Sequence, residues 1–441
     1  MSAERSEGAP RSSLLRQEAG FVQKGFGLRS AVAGSLEADY RGYAVEALRA
    51  LGNSFDAGPI TVHLAKEFGF CYGVDRAIDY AYETREHFPD RTIYVTNEII
   101  HNPFVNRRLR EQGIRFFEDG YGPDDIAADD VVLLPAFGAS VELVEQLKTR
   151  GCVIVDTTCG SVMNVWKRVK RYGADGFCSI VHGKHYHEET IATVSHAVAE
   201  GGHYLVVRDK AEAELVCDTI RGAGPDREAF MERFARATSK GFDPDRHLEK
   251  VGLANQTTML ASESLEISAM VEAAVRDRDG FVDEEKNFRA FDTICSATQD
   301  RQDAIISLGR RVELDRVLVV GGFNSSNTGH LCKIAARYAP AYHISGPEQL
   351  LSREQIAHQR PGETELTVAE GWLADAPKSF GITSGASTPD SIVGHVLTRL
   401  GELHEIDLTG MILAAAGDRV PATKSGESRE PLPLHLPKTD V

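Results

Sequence analysis

Long apolar runs are missing from this 441-residue sequence, and none approaches the roughly 18 residues that a membrane-spanning helix needs. The first twenty residues, MSAERSEGAPRSSLLRQEAG, also lack the apolar centre of a signal peptide. These two absences predict a cytoplasmic protein that has no membrane partner.

Positive charge is also scarce, because 49 lysines and arginines are set against 65 aspartates and glutamates, for a net charge of −16. This balance argues against a nucleic-acid partner bound through a general basic surface. It leaves room for a small anionic ligand, since a pocket can be locally favourable to an anion in an acidic protein.

The common phosphate-binding motifs of nucleotide enzymes are absent. GxxxxGK[ST] does not occur, because Lys184 is followed by His185, and GGFNSSN does not fit GxGxxG. A nucleotide site is therefore not expected.

The seven cysteines form neither a CxxC pair nor a compact zinc-finger spacing. A long cytosolic chain of this kind is not held together by a disulfide framework. Any metal site must therefore be assembled from distant parts of the chain.

Short β-branched runs alternate with longer amphipathic segments, which predicts α/β layers with mostly parallel sheets. The runs include RTIYVTNEII, DVVLLPAFG, CVIVDTTC, FCSIVHGK, YLVVRD, RVLVVGGF and SFGITSGAS. We expect an N-terminal extension at 1–58, disordered over its first twenty residues, and a C-terminal tail at 413–441. Between them we expect three α/β domains, at 59–158, 159–292 and 293–412. The opening strand of the first could join the third, and 221–248 has the composition of a surface insertion.

Three cysteines share one pattern, in which a strand-like run ends at the cysteine and a helix-like pattern begins there. The segments are EFGFCYGVDRAIDYAYE with Cys71, VDTTCGSVMNVWKRVKR with Cys159, and FDTICSATQDRQDAIIS with Cys295. Three such units could surround a common centre. The positive end of a helix lowers a thiol pKa and so favours the thiolate that binds metal. A [4Fe–4S] cluster is one interpretation, and a zinc site or three isolated thiols are the others. We interpret Cys152, Cys178, Cys217 and Cys332 as apolar packing.

Four further turns at strand ends carry polar groups that could hold a ligand, since helix N–H groups and hydroxyls donate together there. A single turn of this kind is more often a helix cap than a binding site. The candidates are His101 and Asn102; His182, His185, His187, Glu188 and Glu189; Asn324, Ser325, Ser326 and Asn327; and Ser384 and Ser387.

These motifs together resemble one enzyme family. GFCYGVDRAI, NEIIHNP, DTTCGSV, HGKHYHEETIAT, QTT, DTICSATQDRQ, NSSN and SGASTPD occur in the order seen in the hydroxymethylbutenyl diphosphate reductases. The resemblance covers roughly residues 59–400, and the LPAFGAS stretch is similar to the plant and cyanobacterial branch.

The resemblance implies a trefoil of three α/β domains with pseudo-threefold symmetry around a central [4Fe–4S] cluster. One cluster per subunit would be held by three ligands, Cys71, Cys159 and Cys295. It also implies the last step of the methylerythritol phosphate route, in which 4-hydroxy-3-methylbut-2-enyl diphosphate is reduced to isopentenyl and dimethylallyl diphosphate. The electron donor would be ferredoxin or flavodoxin, and the basic helix WKRVKR is either its docking site or an ordinary solvated face.

The residues that match the family's site follow from the same resemblance. Glu189 matches the proton-delivering acid, and Thr257 matches a threonine that orients the substrate hydroxyl. The diphosphate would contact His101, His187, Ser325, Ser326, Asn327 and Ser387. One position departs from many bacterial members, because Phe137 stands where they carry a histidine.

Three other classes remain open on the residues alone. A three-cysteine cluster enzyme similar to quinolinate synthase would bind carboxylates through arginines. A redox sensor with a labile cluster, or a zinc-binding structural protein, would need no acid and no histidines around the metal.

Overall fold

The computed structural model describes residues 20–290 and 294–419, and the expectations for the first nineteen residues and for the tail from 420 lie outside this part. The strands of the described residues are β1 Phe21–Val22, β2 Ser54–Asp56, β3 Thr61–Leu64, β4 Ile93–Val95, β5 Arg115–Phe116, β6 Val131–Leu134, β7 Val153–Asp156, β8 Cys178–His182, β9 Tyr204–Val207, β10 Val251–Asn255, β11 Phe288–Ala290, β12 Arg316–Val320, β13 Ala341–Ile344, β14 Gln355–Gln359, β15 Leu366–Glu370 and β16 Ser379–Ser384.

The helices alternate with these strands along most of the chain, which confirms the predicted α/β class. They are α1 Arg29–Tyr40, α2 Tyr43–Ala50, α3 Tyr72–His87, α4 Pro103–Glu111, α5 Val141–Arg150, α6 Gly160–Ala174, α7 Glu188–Ala199, α8 Lys210–Ile220, α9 Arg227–Arg233, α10 Pro244–His247, α11 Ala261–Asp279, α12 Ser296–Arg311, α13 Ser326–Ala335, α14 Asp390–Leu403 and α15 Leu408–Ala416. None of these helices has both the length and the hydropathy to cross a membrane.

The strands form three separate sheets. The first has the order β1-β7-β6-β4-β5 and the second β11-β10-β8-β9, and every pairing in both is parallel. The third has the order β15-β14-β13-β12-β16-β3-β2, with parallel pairs in its centre and antiparallel pairs at both ends. Parallel strands are covered on both faces, so continuous apolar runs such as Val131–Leu134 are buried along their whole length.

The segment before the first cysteine does not stay with the first sheet. Strand β3 pairs in parallel with β16, from Ser379↔Thr61 to Ile382↔Leu64, and so lies in the third sheet. The preceding extension is folded from residue 21 onward, since β1 pairs with β7 and β2 pairs with β3. The domain boundaries themselves stay a prediction.

The segment 221–248 does not have the purely superficial position expected of an insertion. Phe230, Phe234 and Phe242 are at most 4% exposed and belong to the hydrophobic core of the second sheet. Phe230 and Phe234 are four residues apart at and just after helix α9, so they lie on one face of it. The charged composition of the segment concealed this apolar face, and the expectation of a surface insertion is wrong for its aromatic residues.

Each of the three candidate cysteines stands where the chain passes from one sheet to the core of another. Cys71 follows β3 of the third sheet and begins α3, whose Ala77, Ile78 and Ala81 pack in the core of the first. Cys159 follows β7 of the first sheet and begins α6, which packs in the core of the second. Cys295 comes after β11 of the second sheet and begins α12, which packs beside β12 of the third. The chain thus passes from the third sheet to the first, from the first to the second and from the second to the third, which is the cyclic order of a trefoil.

Candidate functional site

Cys71, Cys159 and Cys295 lie close to one another, and each directly precedes a helix. A Cβ atom added at Gly73 would lie 2.4 Å from the sulfur of Cys159, so the first turn of the Cys71 helix touches the second cysteine. The Ser161 hydroxyl, in the first turn of the Cys159 helix, donates to the sulfur of Cys295 at 3.4 Å. All three side chains are partly buried.

The electrostatics of the thiols correct one expectation. Burial raises the pKa of Cys71, and the neighbouring Cys159 and Cys295 raise it further, although the backbone N–H of Val74 lowers it. Burial likewise raises the pKa of Cys159, although the backbone N–H groups of its own helix lower it. The prediction of lowered pKa values is therefore wrong for these two residues, because desolvation outweighs the helix N-terminus.

A buried arginine that the sequence analysis did not single out lies beside the thiols. The Arg301 guanidinium donates to the carbonyl oxygens of Gly69 at 2.6 Å and Ala297 at 2.7 Å. Burial lowers the pKa of Arg301, while Cys71 and Cys295 raise it. Its Nε atom has no hydrogen-bond partner among the described residues. A positive charge thus lies near the sulfurs of Cys71 and Cys295, where it would favour the anionic form of cysteine that binds metal.

The remaining cysteines lie elsewhere and are fully packed. Cys152, Cys178, Cys217 and Cys332 are between 0% and 4% exposed in hydrophobic cores. Their interpretation as apolar packing is confirmed.

Glu189 is a buried acid at the start of α7, where only 1% of its surface is exposed. Its carboxyl group accepts hydrogen bonds from the backbone N–H of Thr257 at 2.6 Å and from the Thr257 hydroxyl at 2.9 Å. Burial raises the pKa of Glu189 to about 7, although both bonds from Thr257 and the nearby His101 lower it. The structure therefore joins Glu189 and Thr257, which are 68 positions apart, in one acid–hydroxyl pair.

His101 and His187 meet beside this pair. Their Nε2 atoms are 3.2 Å apart, and the Nδ1 atom of His187 accepts from the backbone N–H of Glu189 at 3.2 Å. Phe137 stacks on the His101 ring, with centroids 4.1 Å apart and planes inclined by 16°. The phenylalanine thus supports the histidine pair from one face of the His101 ring.

Carboxylates surround the histidine pair on its other side. Glu98 accepts from His101 Nδ1 at 2.8 Å, and Glu188 comes within 3.6 Å of His101 Nε2 and 3.8 Å of His187 Nδ1. The potential ligand atoms of His101, His187 and Glu188 all lie within 4.8 Å of one another. The two histidines and the two carboxylates therefore form one cluster of acidic and basic side chains.

The loop before α13 supplies a nest of polar atoms. Ser325 caps the helix, and its hydroxyl accepts from the backbone N–H of Thr328 at 3.3 Å. The hydroxyl of Ser326 and both amide atoms of Asn327 are buried and have no hydrogen-bond partner among the described residues. Buried polar groups are normally satisfied, so these atoms are suited to a polar ligand.

Backbone contacts bring the nest, the histidines and the cysteines into one region. The Ser387 hydroxyl donates to the carbonyl of His101 at 3.1 Å. The N–H of Cys71 donates to Ala386 O at 3.1 Å, directly before Ser387, and the N–H of Cys159 donates to Ala136 O at 2.9 Å, directly before Phe137. Gly322 is required for the close approach, because a Cβ there would lie 2.5 Å from His101 O.

Several residues of this region carry no strong signal in the sequence. Lys184 is partly buried near His187 and lowers its pKa, and Arg301 and Glu98 lie inside motifs quoted for other residues. Glu98 stands three positions before His101, a spacing that is visible in NEIIH but is common by chance. Only the fold shows that these charges face the site.

An α/β enzyme with three converging cysteines and a buried acid is the class of protein that this fold and this site define. The family described as LytB protein matches residues 62–401. The chain is 50% identical over 389 residues to the 4-hydroxy-3-methylbut-2-enyl diphosphate reductase of Synechococcus sp. (strain CC9311), a match that covers 87% of this chain and 96% of the relative. It is 44% identical over 420 residues to the enzyme of the same description from Gloeobacter violaceus (strain ATCC 29082 / PCC 7421), covering 93% and 99%.

This chain therefore belongs to the LytB family and is an oxidoreductase. A solved structure, the E-1-hydroxy-2-methyl-but-2-enyl-4-diphosphate reductase from Plasmodium falciparum, has the same fold with a TM-score of 0.56 at 20% identity. It covers 81% of this chain and 98% of the other. The trefoil α/β fold and the family that the sequence motifs predicted are both confirmed.

Proposed function

We propose that this chain reduces 4-hydroxy-3-methylbut-2-enyl diphosphate to isopentenyl and dimethylallyl diphosphate, the last step of the methylerythritol phosphate pathway. The relatives that it covers almost completely are reductases of this diphosphate. The observation that carries the proposal is the buried Glu189–Thr257 pair, set beside two histidines and an unsatisfied polar nest.

Cys71, Cys159 and Cys295 would hold one [4Fe–4S] cluster per subunit. Three ligands from three helix N-termini, with Arg301 beside them, support this assignment. Such a cluster supplies electrons and one iron that is free to act as a Lewis acid. A reducing cytoplasm is the compartment that we propose, because free thiols persist there.

Glu189 is the proton donor in this proposal. With a pKa of about 7 it carries a proton near neutral pH, where an exposed glutamate is ionised. Two electrons and two protons convert the substrate C–OH into a C–H bond and water. Protonation of the hydroxyl lets it leave as water rather than hydroxide, and the Thr257 hydroxyl, which is bonded to Glu189, orients the leaving group.

The diphosphate is held by donors from the polar nest and from the residues around it. The unsatisfied Ser326 hydroxyl and Asn327 amide, the N-terminus of α13 and the His187 ring face an anion without an arginine clamp. Ser325, Ser387 and His101 complete the cradle, and Lys184 adds a positive charge near His187.

Anaerobic turnover tests the proposal. The purified protein should be brown, with absorption near about 400 nm, and should convert the substrate to both products with a chemical reductant. A colourless zinc protein, or a brown protein that leaves the substrate unchanged, would contradict it.

Ferredoxin or flavodoxin is the electron donor that we propose. Lys167, Arg168 and Lys170 lie on α6, the helix that begins at Cys159, and are exposed or partly exposed. A basic surface so close to the thiolate centre suits an acidic carrier.

A further inference from the structure

Glu98 joins two of the loops that build the diphosphate site. One of its carboxylate oxygens, Oε2, accepts from the Nδ1 atom of His101 at 2.8 Å and also from the side-chain amide of Asn324. His101 follows β4 of the first sheet, and Asn324 follows β12 of the third. The Glu98 side chain is only 14% exposed, so water screens these bonds little.

The hydrogen bonds fix which ring nitrogens carry protons. Burial lowers the pKa of His187 well below its usual range, so this ring is neutral at neutral pH. Its Nδ1 accepts from the N–H of Glu189, and its proton is therefore on Nε2 and donates to His101 Nε2. His101 carries its proton on Nδ1 and donates it to Glu98.

In this protonation state, one atom of the site, Nε2 of His101, cannot donate a hydrogen bond to an anion. The Nε2 atom of His101 presents a lone pair, which repels a phosphate oxygen. The Nε2–H group of His187, by contrast, can donate to a phosphate oxygen without any change in its protonation. His101 can donate to the anion through Nε2 only if it gains a second proton, because its Nδ1 proton is already used by Glu98.

The charged groups that face His101 come from three elements. Glu98 bonds its Nδ1 atom, and Glu188 at the start of α7 is 3.6 Å from its Nε2 atom. Neutral His187 is 3.2 Å away with Lys184 nearby, and Glu189 on α7 also interacts electrostatically with His101. Glu188, at 34% exposure, lies near the Nε2 atom that would meet the anion. Glu98 contacts Nδ1, the other nitrogen of the ring, where its charge stabilises an imidazolium without occupying the position of the ligand.

We propose that Glu98 is a positioning residue that makes His101 take up one proton from solvent as diphosphate binds. The anion then meets an imidazolium whose charge is balanced by Glu98. This inference rests on the proposed function, because it requires a diphosphate in this site.

Calorimetric titration of the iron–sulfur-loaded enzyme with inorganic diphosphate tests the inference. Titrations in two buffers of different ionisation enthalpy give the number of protons taken up per diphosphate bound. Glu98→Gln should take up about one proton fewer than the unchanged protein, since the amide oxygen still accepts both bonds but carries no charge. Comparing two proteins cancels protons that the diphosphate itself gains or loses. The affinity should fall about tenfold.

Two control variants separate charge from architecture. Asn324→Ala removes the tie between the loops and keeps the carboxylate, so proton uptake should stay complete. Glu188→Gln removes the other nearby carboxylate and should also keep it. Equal uptake by Glu98→Gln and the unchanged protein would overturn the inference, as would loss of uptake in Glu188→Gln instead. Failure of the unchanged protein to bind diphosphate would overturn the proposed site itself.

Nitrogen NMR of the histidines gives a second test that does not depend on the folding of any variant. In the diphosphate complex of the unchanged protein both ring nitrogens of His101 should carry protons. A single protonated nitrogen there refutes the inference.

Discussion

Glu189 owes its chemistry to its surroundings rather than to its type. Burial raises its pKa to about 7, and the two bonds from Thr257 are too weak to reverse that effect. A carboxyl group that holds its proton at neutral pH can give it to a leaving hydroxyl.

Glu189→Gln should therefore abolish most turnover, by about 10²–10⁴-fold, because the amide has no acidic proton to deliver. Binding of inorganic diphosphate and iron content should be unchanged, since the amide can keep the bonds to Thr257. Single-turnover kinetics with reduced enzyme would measure the effect, and full activity would remove Glu189 as the proton donor.

The same pKa sets a pH dependence. Turnover should fall as pH rises through about 7, where Glu189 loses its proton. The folded state binds this proton more tightly than the unfolded chain, whose glutamate titrates near its ordinary value. The group's contribution to stability is therefore complete below about pH 4.5 and is lost as pH rises through about 7. Denaturant unfolding at several pH values should show this slope, and Glu189→Gln should lack it.

Helix α3 needs a glycine in its first turn because another unit's cysteine occupies the space of a side chain. Gly73→Ala would place a Cβ 2.4 Å from the sulfur of Cys159. The Cys159 side chain must then shift away from Gly73, at a cost of about 1–3 kcal/mol, and the variant should retain less iron per protein.

Gly394 offers a matched control, because it also lies inside a helix but nothing is within 4 Å of its Cβ position. Gly394→Ala should keep its iron and gain up to about 1 kcal/mol of stability. Iron assays and denaturant unfolding of both variants measure the difference. Equal iron content in the two would show that Gly73 does not shape the thiolate centre.

The strands and helices of this fold are largely predictable from local sequence pattern. Which strands pair and which faces pack together is not. RVLVV and VVLL are strands because parallel sheets bury both faces, and apolar runs report that directly. The pairing of β3 with β16 depends on packing between residues more than 300 positions apart. Phe230 and Phe234 were concealed for a similar reason, since a charged segment can still present one apolar face.

The candidate site divides in the same way. The motifs identified the family correctly, and their assignment of the cysteines, Glu189 and the polar turns to one site stays a prediction. Glu98, Lys184 and Arg301 could not be recognised from local pattern as charges that face the site, because their position depends on how the three sheets pack together. The raised thiol pKa values also depend on burial that no motif records.

At the scale of the whole molecule, a net charge of −16 repels an acidic electron carrier, so docking must rely on a local basic surface. Lys167→Glu combined with Lys170→Glu should lower kcat/KM for reduced ferredoxin about tenfold, whereas the rate with dithionite should not fall. Added salt should reduce the difference between this variant and the unchanged protein.

Arg236→Glu combined with Lys240→Glu is the matched control, since both residues are exposed in the 221–248 segment and two positive charges are again reversed. Its kcat/KM for ferredoxin should stay close to that of the unchanged protein. Equal losses in both variants would indicate a general charge effect and would exclude α6 as the specific docking surface.

The pairing of β3 with β16 also has a consequence for biosynthesis. Thr61–Leu64 leaves the ribosome before its partner Ser379–Ser384 by roughly 315 residues, which takes about 15–60 s at ordinary translation rates. During that time Cys71 follows a strand, β3, whose pairing partner β16 has not yet been synthesised. A nascent chain thus cannot complete the proposed cluster site, and binding of the proposed cluster would have to wait until β16 has been made.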